Sequence, residues 1–141
     1  PAAVALARHN AELAEVDDTV RFEVDDATRF HWGGQFGRVV TNPPYGERLS
    51  PGSEALSEVD LTDEARARVN TGALAELYET LGDRFRAMDT WSLYVITSYA
   101  GCENAIGKKA ARNRKIYNGM LKTCFYQFPG PRPPRRRKPQ S

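Results

Sequence analysis

Apolar and polar positions along the chain fall into segments of two different periods. Near the start, AAVALARHNAELAEV sets Val4, Ala7, Ala11 and Ala14 three or four residues apart. This alanine-rich stretch, with Pro1 suited to a first turn, predicts a helix that Asp17 and Asp18 end. TVRFEVDDA alternates Val20, Phe22 and Val24 against Arg21, Glu23 and Asp25, the period of a strand that closes on two carboxylates. RVVT, residues 38–41, predicts a second strand. Residues 50–70 are acidic and open with Ser-Pro-Gly, which predicts an inserted surface loop with some helical content. GALAELYETLGDRFRAM then places Leu74, Leu77, Tyr78, Leu81, Phe85 and Met88 on one helical face, with Asn70 or Thr71 available to cap its start. WSLYVITSY, residues 91–99, is apolar enough for a strand buried on both sides. A short helix over 103–106 should stop near Gly107, and RKIYNGMLKTCFYQF predicts two strands joined at Asn118-Gly119.

The predicted order is helix, strand, strand, helix, strand, helix, hairpin. Alternation of this kind implies an α/β fold with a mainly parallel sheet and an antiparallel hairpin at the C-terminal end. In such sheets ligands bind beyond the carboxyl ends of the strands. Two unusual stretches, VDDA and TNPPYG, stand at such ends.

With 141 residues, of which 40% are apolar, the chain can build one compact core. Residues 1–128 read as that domain and 129–141 as a disordered Pro/Arg-rich tail. No apolar stretch approaches the roughly 20 residues of a membrane helix, and PAAVALARHN lacks the order of a signal peptide, so the expectation is a cytoplasmic protein without membrane contact. Cys102 and Cys124 have neither CxxC spacing nor histidines beside them, which argues against a metal site or a disulfide framework. His9 and His31 lack the partners of a catalytic base or metal ligand.

The net charge of +2 hides an asymmetry. Residues 1–103 hold all 18 acidic side chains against 9 basic ones, whereas 104–141 hold 11 basic side chains and no acid. Such a segment suits a polyanion, and Lys108, Lys109, Arg112, Arg114 and Lys115 form the expected RNA-facing patch.

The stretch TNPPYG carries the chemistry. Two successive prolines fix φ near −65° and remove two backbone donors, so the loop is stiff and its acceptors point outward. The carboxamide oxygen of Asn42 and the carbonyl of Pro43 can both accept from one planar amino group, while Tyr45 offers a ring on which the base bearing that group can stack. An exocyclic amine of a nucleobase is a weak nucleophile because its lone pair is delocalised. Two acceptors on its protons favour a pyramidal nitrogen able to attack a methyl group, which is selective help to the transition state. A turn that merely terminates the strand is the competing reading.

NPPY, residues 42–45, resembles the catalytic motif of S-adenosylmethionine-dependent amino-methyltransferases. The wider pattern VVTNPPYGERL, ELYETLGDRF, WSLYVITS and RKIYNGMLKTCFYQF is similar to the carboxyl-terminal half of the THUMP-associated guanine-N2 methyltransferases of large-subunit ribosomal RNA. The resemblance implies a partial Rossmann-like fold, S-adenosyl-L-methionine as cofactor and RNA as partner. It assigns Asn42, Pro43, Pro44 and Tyr45 to catalysis and base holding, and Asp26, Ala27 and Asn42 to the cofactor. Gly46 and Arg48 match the family's continuation, and Arg48 either meets a phosphate or pairs with a surface acid. tRNA guanine or DNA adenine as target, and a nucleic-acid-binding module without activity, are the alternatives.

One feature of the family is not found. Its members hold the cofactor's methionine part with a glycine-rich loop after the first strand and its ribose with an acid after the second. HWGGQFG, residues 31–37, precedes a strand instead of joining strand to helix, so it reads as an ordinary loop. The expectation is therefore a fragment of a longer enzyme, inactive alone, with an incomplete cofactor site and sheet edges open to self-association.

Overall fold

In the computed structural model, residues 2–30, 33–43, 63–118 and 121–135 are described, and they fall into two compact units, residues 1–31 and 32–141. The first unit holds helix α1, Ala2–Leu13. The helix is capped earlier than the aspartates predicted. Val16 N–H donates to Ala11 O and Glu15 N–H to Glu12 O, with Glu15 at φ 56°, so a left-handed residue closes the last turn before Asp17 is reached.

Residues 20–26 are the main correction. The alternating pattern is present, but the segment forms no strand. Alternation makes a segment suited to pairing, while a strand exists only through hydrogen bonds to a neighbour. Here Phe22 O accepts from the Arg8 guanidinium at 3.0 Å, and among the described residues no ladder reaches the segment.

The second unit is a mixed sheet with helices. Its elements are β1 (Arg38–Thr41), α2 (Asp63–Arg86), β2 (Ser92–Thr97), α3 (Cys102–Ile106), β3 (Arg112–Asn118) and β4 (Leu121–Phe128). The strand order is β1-β2-β4-β3. β1 and β2 are parallel, with Arg38 opposite Ser92 and Thr41 opposite Val95. β4 runs antiparallel to both β2 and β3. The hairpin thus inserts its second strand beside β2 and leaves β3 as the outer strand. The ladder pairs Asn118 with Leu121, so Asn118 belongs to β3 and the connecting residues 119–120 lie outside the described residues.

α2 begins earlier than the apolar spacing indicated. Residues 63–70, expected within the loop, are helical, so Asn70 and Thr71 lie inside the helix and not at its start. Its predicted apolar face is the one that packs. Leu74, Tyr78, Leu81 and Phe85 are buried with Leu93, Val95, Cys102, Ala105, Ile106, Tyr126 and Phe128 in one core. The register puts Leu93, Val95 and Thr97 on this face with Phe128, Tyr126 and Cys124 opposite them. The other face of β2 is only half-buried: Ser92, Tyr94 and Ile96 are partly covered, and Tyr94 stacks on Phe125 with centroids 6.1 Å apart. Burial on both faces, which the continuous apolar run predicted, is therefore complete on one face only.

α3 stops where the sequence indicated. Gly107 takes φ 75°, its N–H donates to Asn104 O at 3.1 Å, and Lys108 N–H donates to Glu103 O at 3.2 Å, a Schellman closure. The Glu103 carboxylate then accepts from Ala110 N–H at 2.7 Å, which ties the exit of the helix to its start.

Candidate base-binding site

Asn42 and Pro43 follow the carboxyl end of β1, one residue past the last parallel pair, Thr41 with Val95. Because β1 and β2 are parallel and in register, both carboxyl ends open on the same edge of the sheet, the edge where ligands of α/β proteins bind. Asn42 is exposed and Pro43 is buried. Pro44, Tyr45 and Arg48 lie outside the described residues.

The wall beside this edge was not singled out by sequence reasoning. Tyr78 Oη and Thr97 Oγ1 are 2.6 Å apart, and both residues are fully buried. Thr97 Oγ1 also accepts from Tyr99 N–H at 3.0 Å, and the Tyr78 and Tyr99 rings meet edge to face with centroids 4.9 Å apart. The chain leaving β2 is thereby fixed just where β1 ends. Tyr99 packs against the core from a half-buried position. A buried polar residue at the end of an apolar strand, Thr97, was the signal available.

The glycine-containing loop lies at the opposite end. Gly37 O accepts from Ser92 N–H, Thr90 Oγ1 accepts from Phe36 N–H, and Gly34 O accepts from the Trp91 indole at 3.1 Å. These contacts pin residues 34–37 to the amino ends of β1 and β2, remote from the ligand edge, and make the loop structural.

In the first unit, Asp26 organises a tight turn. Its Oδ1 accepts from Thr28 N–H at 2.8 Å and from Thr28 Oγ1 at 2.7 Å, its main-chain carbonyl accepts from Arg29 N–H, and Oδ2 is 3.8 Å from the Arg29 guanidinium. The carboxylate is half exposed and Ala27 is exposed beside it. An oriented carboxylate with an adjacent open backbone suits an adenine amino group, which needs acceptors. A polar cavity of about 440 Å³ in the same unit is lined by Arg8, Glu12, Asp17, Val20, Arg21, Phe22 and Glu23. Neither Asp26 nor Ala27 reaches it.

Neither the Cys102 thiol nor the Tyr126 phenol is set up as a nucleophile. Burial, reinforced by Glu103 and Cys124, pushes the Cys102 thiol up to about 12, and burial with the neighbouring thiols of Cys124 and Cys102 raises Tyr126 to about 12. Both stay neutral and inert near pH 7. Among the described residues no group of three or more His, Cys, Asp or Glu could hold a metal ion, and no helix is long and apolar enough to cross a membrane.

The basic cluster is exposed throughout. Lys108 and Lys109 follow α3, with Lys108 Nζ 5.8 Å from the centroid of the Phe85 ring. Arg112 and Arg114 share one face of the outer strand β3, while Lys115 points to the other. None of the ion pairs among the described residues, Arg21–Glu23, Arg29–Asp26 and Arg86–Asp83, uses them.

Comparison with known proteins decides what this architecture is similar to. Residues 1–63 match the family UPF0020, described as an RMKL-like methyltransferase domain. The relatives of this chain are named as methyltransferases. YpsC of Bacillus subtilis (strain 168), named as a candidate RNA methyltransferase, is 34% identical over 138 residues, 98% of this chain and 31% of that protein. Ribosomal RNA large subunit methyltransferase K/L of Shewanella sediminis (strain HAW-EB3) is 35% identical over 123 residues, 86% of this chain and 15% of the relative. This chain thus spans about a third of the first relative and less of the second. Among solved structures, a candidate methylase from Clostridium difficile 630 superposes with a TM-score of 0.70 at 45% identity over 94% of this chain and 30% of its own. SMU.472, a candidate methyltransferase solved with SAH, gives 0.69 at 34% identity over 93% and 30%. The fold is therefore the Rossmann-like α/β fold of these methyltransferase neighbours.

Proposed function

We propose that this chain grips the target base within an S-adenosylmethionine-dependent cytoplasmic methyltransferase that modifies RNA, at N2 of guanine in 23S ribosomal RNA. The observation that carries the reading is the placement of Asn42 and Pro43 directly after the carboxyl end of a strand parallel to its neighbour. S-adenosylmethionine, when bound, supplies an electrophilic methyl group. The residues of this chain bind and orient the amine that receives it. The Asn42 carboxamide oxygen and the Pro43 carbonyl accept the two amine protons, Pro44 keeps the loop stiff, and Tyr45 stacks on the base. Drawing both protons out of the base plane, to the side opposite the attacking lone pair, supports a pyramidal nitrogen more than the flat ground state; as the N–CH3 bond formed, the methyl's bond to the donor sulfur would break and one amine proton would pass to solvent. Asp26, held in its turn, and the open backbone at Ala27 suit the adenine end of the cofactor, with the Asn42 side chain nearest the reacting atoms. The loop at 33–37 does not suit the methionine end, because it is fixed at the amino ends of the strands. Exposed Lys108, Lys109, Arg112, Arg114 and Lys115, together with Arg48, neutralise phosphates.

The test uses the complete protein that contains these residues, with methyl transfer assayed on stripped ribosomal RNA, tRNA and DNA. We expect transfer to ribosomal RNA, and a loss of about 10²–10³-fold in kcat for Asn42→Ala. Full activity in that variant would remove Asn42 from catalysis, and transfer only to tRNA or DNA would replace the substrate.

A further inference from the structure

The end of the hairpin carries a feature that methyl transfer does not use. Tyr117, second from last in β3, is 69% exposed, although burying an aromatic ring is among the larger favourable terms a chain can gain. Its direct partner across the ladder is Lys122, and Lys115 stands two residues back, opposite Cys124. Opposed residues of an antiparallel pair and residues two apart on one strand share a face, so Lys115, Tyr117 and Lys122 form one group. Cys124 packs against the core, which makes this the face that α2 and α3 cover further in. Lys115, Tyr117 and Lys122 are all exposed, so they project beyond that cover. The neighbouring Arg112, Arg114 and Ile116 face the opposite side.

Charge along this part of the chain has one sign. No acidic residue occurs from position 104 to the end of the chain, and the carboxylate of Glu103 is engaged by the Ala110 amide. An open aromatic face between two lysines is how single-stranded nucleic acid is held: the ring stacks on a base and the cations follow the backbone. A base within a duplex is already stacked on both sides and cannot offer its face.

Resting on the reading that the substrate is RNA, we propose that the β3–β4 hairpin binds a single-stranded segment of it. Tyr117 stacks on one unpaired base, and Lys115 and Lys122 hold the flanking phosphates. The site lies on the outer strand of the sheet, separated from β1 by β2 and β4, so it positions RNA without touching the reacting base.

The experiment measures fluorescence anisotropy of a labelled 12-nucleotide single-stranded RNA and of its duplex, using the complete protein. Tyr117→Ala should weaken single-strand binding by about 5- to 100-fold, with duplex binding unchanged and Tyr117→Trp near the parent affinity. The slope of log affinity against log salt should be unaltered by Tyr117→Ala, and should fall by about 1.4 when Lys115 and Lys122 are both changed to Ala. Single-strand affinity unaffected by Tyr117→Ala, in a protein that methylates RNA, would overturn this inference and leave the proposed function standing. Equal losses on duplex, or a matching loss for an acidic peptide, would also overturn it by removing the base specificity. A protein that neither binds nor methylates RNA would overturn both.

Discussion

Thr97 closes β2 with a hydroxyl that has two partners in a fully buried setting, the Tyr78 hydroxyl at 2.6 Å and the Tyr99 amide at 3.0 Å. A buried polar group left without its partner costs more than an average hydrogen bond contributes. Tyr78→Phe should therefore lower stability by about 1–2 kcal/mol, read from the urea midpoint, and a change below about 0.3 kcal/mol would mean that the pair breaks even with its desolvation. The variant should also loosen the chain at Tyr99, beside the strand end that carries Asn42. Asp26 shows how one residue type serves two readings. Its carboxylate holds a turn through Thr28, as aspartates in turns commonly do, and the proposed function gives the same carboxylate to the cofactor.

Helix ends and crossings decide how the elements meet. Gly82 is buried inside α2, and a Cβ there would come 2.6 Å from Ile106 O and 2.7 Å from Ile106 Cα. Alanine would gain about 1 kcal/mol in helix propensity but would collide with main chain that cannot rotate away. We expect Gly82→Ala to be destabilising by about 1–3 kcal/mol in spite of that gain, measured as a lowered thermal midpoint; stabilisation would show that α3 shifts freely. α1 presents the opposite case. Glu15 holds φ 56° at its end, a conformation that costs a non-glycine residue about 1–2 kcal/mol. Glu15→Gly should raise the stability of the first unit, seen as slower amide exchange in α1, and no change or faster exchange would mean that the glutamate side chain compensates.

At the scale of the whole molecule, two buried acids that must stay neutral set the response to alkali. Cys102 is raised from 9.0 to about 12 and Tyr126 from 10.0 to about 12, chiefly by burial. Both pKa values are higher in the folded state, so above pH 9 the unfolded chain loses protons that the folded one keeps. Stability is then full below pH 9 and falls between pH 9 and 12. Urea unfolding at pH 8 and pH 10.5 should show this loss, and Cys102→Ala should reduce the part that begins near pH 9; a flat profile would contradict the burial of both groups. Charge is divided at the same scale: the acidic excess lies in residues 1–103, and the basic residues of 104–141 reach the outer strand and the tail.

Several features were legible in the chain alone. The apolar face from Leu74 to Phe85, the strand RVVT, the stop at Gly107 and the hairpin follow from spacing and turn chemistry, which are local. The stiffness of NPPY is likewise local, because two successive prolines restrict the backbone wherever they occur. Tertiary structure decided the rest. Residues 20–24 had a strand's pattern without a ladder, since pairing needs a neighbour that a pattern cannot supply. The Tyr78–Thr97–Tyr99 wall joins three residues from two segments, and Tyr117 gained Lys122 as a neighbour only when β4 folded back on β3. Local sequence fixes which backbone shapes are cheap, whereas the edge of the sheet on which side chains gather depends on contacts between segments distant in the chain.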